Sequence, residues 1–149
     1  MCFGLLMSCP STKAIDPVNM TDWTKVESHN GVEIFARSYT KFFARYQPAT
    51  CYELRIMNNT DKQAFGGFEI EADFGGQETM LVNYYSFGPF GIKPGKYVQG
   101  DPARGYSPLY QCFKDSPNKL KSLMLRKLFI VADCGRKEVP EPRAILTFN

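Results

Sequence analysis

The most regular stretch of the chain is Cys51–Phe74, where two alternating runs flank a polar turn. Tyr52, Leu54 and Ile56 fall on one side of an extended backbone, with Glu53 and Arg55 on the other. Further on, Phe68, Ile70, Ala72 and Phe74 alternate with Glu69, Glu71 and Asp73. Strand side chains point alternately to the two faces, so this pattern predicts two strands, each with one face on a core and one toward water. Asn58-Asn59-Thr60-Asp61-Lys62 between them tolerates left-handed backbone and bonds its own main chain. The expectation is a central β-hairpin.

The pattern recurs on both sides. Trp23–Glu27 leads into the turn Ser28-His29-Asn30-Gly31, whose Asn-Gly pair is a strong hairpin signal, and Val32, Ile34 and Ala36 share one face of the strand that follows. The segment Tyr39–Tyr46 is aromatic and basic, and Pro48 ends it. Beyond the turn Gly75-Gly76-Gln77-Glu78, Thr79–Phe87 reads as a strand, Pro94-Gly95 as a type II turn, Gly100–Pro108 as a loop and Leu109–Phe113 as a short strand. Leu120–Asp133 fits two templates. Leu120, Leu123, Met124, Leu128 and Val131 have helical spacing, whereas Leu123 and Leu125, then Leu128, Ile130 and Ala132, fit two strand phases joined by a bulge. The β-branched and aromatic run Phe129-Ile130-Val131 favours the strand. The tail Glu138–Asn149, with Pro140 and Pro142, is expected outside the core or as one edge strand.

Short strands separated by turns predict an all-β fold, a two-sheet antiparallel β-sandwich. The strand–Asn-Asn-Thr-Asp-Lys–strand piece and Ile92-Lys93-Pro94-Gly95 make it resemble immunoglobulin-like domains of exported bacterial proteins. That resemblance implies a fold and no molecular function. A length of 149 residues suits one domain, and an aromatic share of 14% suits pleated surfaces. The net charge of +3, spread along the chain, argues against a nucleic-acid partner.

The N-terminal segment changes character at Cys9, from an apolar run to a Ser/Thr/Lys/Pro stretch. Leu6-Met7-Ser8-Cys9 resembles the lipobox of bacterial lipoproteins. The resemblance implies cleavage after Ser8, lipid attachment at Cys9, and an address in the bacterial cell envelope, lipid-anchored to a membrane on its periplasmic or outer side. The other reading of the run is an apolar tail packed on the domain. Residues 1–8 are thus expected to be the remnant of a signal peptide, 9–21 a tether and 22–149 the sandwich. With Cys2 and Cys9 in that segment, Cys51, Cys112 and Cys134 allow at most one bridge. Cys112–Cys134 is the expected pair if one forms, and buried thiols are the alternative for Cys51 and Cys134.

Candidate chemistry is sparse. His29 is the one histidine, it falls in a turn, and no nucleophile elbow accompanies it. Glu69, Glu71 and Asp73 share a strand face and could serve a carbohydrate-active hydrolase, although any solvated strand shows the same alternation. Phe65-Gly66-Gly67 and Phe74-Gly75-Gly76 lack a phosphate-loop pattern. The cysteine spacing suits no metal knuckle, and neither a metal nor a cofactor is expected. No catalytic residue is assigned.

Tyr84, Tyr85, Phe87 and Phe90, with Tyr97 and Tyr106 nearby in sequence, form the candidate contact surface for a protein or polysaccharide partner. The competing reading of these rings is core. The expected function is non-catalytic binding or assembly at the envelope, against a small hydrolase or a structural spacer.

Overall fold

The computed structural model describes residues 17–76, 79–104, 107–133 and 135–148, and alternating sequence becomes strand almost throughout them. In chain order the strands are β1 (Thr24–His29), β2 (Val32–Phe43), β3 (Gln47–Asn58), β4 (Phe65–Asp73), β5 (Thr79–Ser86), β6 (Tyr97–Gln99), β7 (Tyr110–Lys114), β8 (Ser122–Ala132), β9 (Gly135–Val139) and β10 (Arg143–Thr147). They form two antiparallel sheets. The first runs β1-β2-β3, with β6 and β7 both pairing the far side of β3. The second runs β8-β4-β5, with β9 and β10 both pairing the far side of β8. Val32, Ile34, Tyr52, Leu54 and Ile56 from one sheet meet Phe68, Ile70, Leu123, Leu125 and Ile130 from the other in the common core. Thus the fold is the expected sandwich.

The sequence reading needs one large correction: Cys51–Phe74 is not a hairpin. β3 pairs β2, β6 and β7, whereas β4 pairs β5 and β8, so the chain crosses from one sheet to the other after Asn58. A hairpin and such an arch have the same alternation, since in both the apolar faces end on the core. What differs is the turn. The Asn58 side chain is fully buried; its Nδ2 donates to Lys62 O and Ile92 O, each at 2.8 Å, and its Oδ1 accepts from Thr60 N at 3.0 Å and Thr60 Oγ1 at 2.6 Å. Its backbone N–H donates to Lys96 O and its carbonyl accepts from Gly95 N. Asn58 thereby ties the turn to the Ile92–Lys96 segment, while Asn59 stays bonded to the β1–β2 hairpin, its N–H donating to Gly31 O and its Nδ2 to Glu33 Oε1, each at 2.9 Å. Gly95 takes φ +69° there and Lys96 N donates to Lys93 O, as the Pro94-Gly95 turn requires.

Other local expectations hold. Asn30 and Gly31 both have positive φ in the β1–β2 hairpin. Leu120–Asp133 contributes strand β8, bulged at Lys127 (φ 51°): Gly67 pairs Phe129 while Glu69 pairs Arg126. The extra residue switches the face, which is why Leu123 and Leu125 before it and Leu128, Ile130 and Ala132 after it are all buried. In the tail, β10 is an edge strand, and Ile145, Leu146 and Phe148 pack on the core. Of the expected tether, residues 17–21 lie along β2: Val18 bridges Thr40, and Thr21 N donates to Ser38 O at 2.9 Å. Cys9 and residues 1–8 lie outside the described residues. No helix among the described residues is long and apolar enough to cross a membrane.

Ions close one side of the sandwich. Glu27 on β1 is buried and accepts from Lys137 on β9 and Arg143 on β10, joining the two sheets at their edges. Burial raises the Glu27 pKa, but the hydrogen bonds from Lys137 and Ser28 N–H and the charges of Lys137 and Arg143 outweigh it and hold the carboxyl below its ordinary 4.5. A depressed folded-state pKa contributes stability that is present above 4.5 and lost as pH falls through the folded value. Chemical denaturation of wild type and Glu27→Gln should therefore show the wild-type advantage in full at neutral pH and shrinking below about 4.5. An advantage independent of pH would exclude this role.

Candidate functional site

The outer face of the first sheet is built by every second residue of β3: Cys51, Glu53 and Arg55. Register sets their neighbours. Cys51 lies between Tyr39 and Cys112, Glu53 between Arg37 and Tyr110, and Arg55 between Phe35 and Gln99. This face was expected in water, yet Cys51 is fully buried and Glu53 is only 2% exposed. Tyr39, Tyr110 and the Cys51–Cys112 disulfide form a small second core on it. The observed bridge corrects the expected Cys112–Cys134 pair. Cys112 falls directly opposite Cys51 on the adjacent strand, a relation that depends on strand order, and Cys134 lies outside the described residues.

Next to this core, Glu53 is held on both oxygens. Arg37 Nε and Nη2 donate to Oε1 at 3.2 and 2.9 Å, and Tyr39 Oη donates to Oε2 at 2.8 Å. Burial first, then the hydrogen bond to Glu53 and its charge, push the Tyr39 hydroxyl far above the ordinary tyrosine pKa, so it stays a donor. The Trp23 ring lies 4.4 Å from the Arg37 guanidinium carbon and 4.3 Å from that of Arg55, which is itself 5.4 Å from the Tyr97 ring. Arg55 Nε also donates to Gln99 Oε1 at 2.7 Å. Aromatic faces attract cations, so Trp23 and the two arginines fix one another in place.

Over this floor the chain between β6 and β7 leaves the sheet as a loop. Leu54 spans its base, accepting from Gly100 N at 3.1 Å and donating to Leu109 O at 2.8 Å. A Cβ at position 100 would sit 2.1 Å from Leu109 O, so only glycine lets the two ends meet so closely. Tyr52 Oη, reaching from the other face, donates to Pro108 O at 2.8 Å. Between loop and sheet opens a cleft of about 720 Å³. Its lining includes Arg37, Glu53, Tyr97, Gln99, Asp101 and Ser107, and the Tyr97 ring is 58% exposed. The cleft offers a flat apolar wall beside several polar groups, which fits a polar ligand with one apolar face. With both oxygens engaged, Glu53 fixes Arg37 and Tyr39 in the floor of the cleft.

The aromatic quartet expected from sequence does not form one surface. Phe87 is 5% exposed, and Tyr85 packs between Phe68 and Phe87 with ring centroids 5.6 and 6.1 Å away, so both belong to the core. Burial accordingly raises the Tyr85 pKa. Tyr84 and Phe90 are exposed at 52% and 74%, Tyr84 on the outer face of the second sheet and Phe90 in the loop after β5. The acidic face of β4 is an ion ladder: Arg126 Nη1 lies 2.6 Å from Glu71, Glu69 faces Arg126 and Lys127, and Asp73 accepts from Gly75 N. His29, expected in the turn, instead ends β1 opposite Val32, its Nε2 3.4 Å from Asn30 Nδ2. Among the described residues no group of three or more His, Cys, Asp or Glu is placed to hold a metal.

The fold and site define a disulfide-bonded, all-β sandwich with a mixed aromatic and polar cleft. Comparison with protein-family models, with curated proteins and with solved structures finds no match.

Proposed function

We propose that this chain is an exported, non-catalytic binding protein, anchored to a bacterial envelope membrane through lipid on Cys9, whose sandwich presents the cleft beside Tyr97 to a polysaccharide. The cleft carries the reading. An exposed ring packs on the apolar face of a sugar, and Gln99, Asp101 and Ser107 are of the residue types that bond its hydroxyls. The Cys51–Cys112 bridge supports an oxidising compartment, as expected outside the cytoplasm. The lipobox-like Leu6-Met7-Ser8-Cys9 supports the anchor. A hydrolase on the Glu69, Glu71 and Asp73 face is disfavoured, because partners in the structure already hold those carboxylates.

Binding to envelope polysaccharide fragments, measured by titration calorimetry, should weaken about five-fold or more in Tyr97→Ala, since a lost stacking contact is worth on the order of 1 kcal/mol. The thermal midpoint should stay near wild type because the ring is largely exposed. Unchanged affinity would remove the cleft from the reading. The anchor is checked separately by mass spectrometry of the full chain made in its own host, which should find diacylglycerol or further acylation on Cys9; an unmodified Cys9 would refute it.

A further inference from the structure

Cations on the sheet faces and edges are mostly paired: Lys25 with Glu33, Arg37 with Glu53, Arg126 with Glu71 and Arg143 with Glu27. At one end of the sandwich they are not. Lys41, Arg45, Lys114, Lys119 and Lys121 have no ion-pair partner among the described residues, and all but Lys41 are exposed. The register gathers them. β2 turns into β3 at Ala44–Tyr46, Ala49 pairs Lys114, Asp115 N donates to Pro48 O and Lys121 N donates to Asp73 O, so the β2–β3 turn, the β7–β8 connection and the end of β4 lie together. The described carboxylates at this end, Asp73 and Asp115, accept from Gly75 N and Thr50 Oγ1 instead. Apolar groups project beside the charges. Phe43, Tyr46 and Met80 are 41%, 77% and 45% exposed, and Lys41 Nζ lies 5.8 Å from the centre of the Phe43 ring. Arg45 and Tyr46 take φ 63° and 56°, the left-handed region that favours glycine, yet the tip of the turn keeps both large side chains. A pocket of about 310 Å³ lined by Phe74, Met80 and Phe113 opens next to Lys114.

We infer that this end of the sandwich rests on an anionic phospholipid bilayer. Unpaired cations complement the negative headgroups, and exposed rings and apolar side chains among them suit the boundary between headgroups and acyl chains. The opposite end also exposes Phe90, Lys93 and Lys96. What selects between the two ends is the path of the chain, and that selection rests on the proposed anchor at Cys9. Followed upstream from Thr21 to Val18, the backbone moves from Ser38 to Thr40, toward the β2–β3 turn. Pro17 is eight residues from Cys9. Such a span reaches at most about 29 Å, so lipid on Cys9 keeps this end close to the membrane, with the opposite end further off by the length of β2. The cleft, beside Glu53 midway along β3, is left uncovered.

Vesicle flotation of the full chain carrying Cys9→Ser separates this surface from the lipid. The protein should float with vesicles of phosphatidylglycerol and phosphatidylethanolamine, and bind vesicles of phosphatidylcholine alone at least about ten-fold more weakly. Reversing Lys114 and Lys119 together to Glu should lower binding to the anionic vesicles about ten-fold or more. Tyr46→Ser should lower it about three-fold or more through lost apolar contact. Both variants should keep the wild-type thermal midpoint, since the altered side chains are exposed. Lys93→Glu with Lys96→Glu at the opposite end is the control and should leave binding within about three-fold of wild type, being remote from the surface by more than a screening length. No binding to anionic vesicles, equal binding to neutral ones, or an equal loss from both ends would each overturn the inference. Absence of lipid on Cys9 would instead remove the anchor while leaving the flotation result as it stands, so the two readings fail separately.

Discussion

A single buried amide organises both the fold and the site. Asn58 is fully enclosed, and its donors and acceptors are met by Lys62, Ile92, Thr60, Lys96 and Gly95. A buried polar group left unpaired costs about 1–3 kcal/mol, whereas one fully bonded fixes a unique arrangement of everything it touches. Here it touches the start of the arch that carries β3 into β4 and the turn that brings the chain back to the first sheet. Sandwich closure and the return of β6 to β3 thus both run through Asn58, its side chain holding the arch and Ile92 and its backbone holding Gly95 and Lys96.

That dependence extends to the cleft. The Lys93–Lys96 turn, tied to the Asn58 backbone, delivers Tyr97–Gln99 to the edge of β3. Pairing of Gln99 with Arg55 then sets the aromatic wall next to the Arg37–Glu53 floor. The disulfide and the Tyr39–Glu53 bond stiffen the same strand a few residues away. Inner-face packing, a buried turn and an outer-face polar row act together on β3. This is how a strand whose outward residues read as ordinary surface comes to carry a shaped site.

The fold class, the Asn30-Gly31 hairpin, the Pro94-Gly95 turn and the β8 bulge were legible in the sequence, because each has a local cause: alternation, positive-φ residues, or a slip in phase. Partners of β3 and β4 were not legible, since alternation records which residues face a core and not which strand lies beside them. The same gap misassigned Cys112, whose partner is fixed by strand order. It also hid the cleft. Arg37 and Glu53 are opposite charges facing each other in register, a signal that exists only once β2 and β3 are known to pair. Tyr97 was visible merely as an aromatic near a loop. Tyr85 and Phe87 read as surface candidates because sequence alone does not say which ring of an aromatic run turns inward.

The central claim, that Asn58 holds the arch and its return turn together, is tested most directly by urea denaturation of Asn58→Ala beside wild type. The substitution removes four hydrogen bonds at once and leaves Thr60 N unpaired, while Ile92 O keeps Ala64 N and Lys62 O keeps Thr60 Oγ1, so a loss of about 2 kcal/mol or more is predicted. A loss below about 0.5 kcal/mol, the size of an ordinary surface substitution, would contradict it.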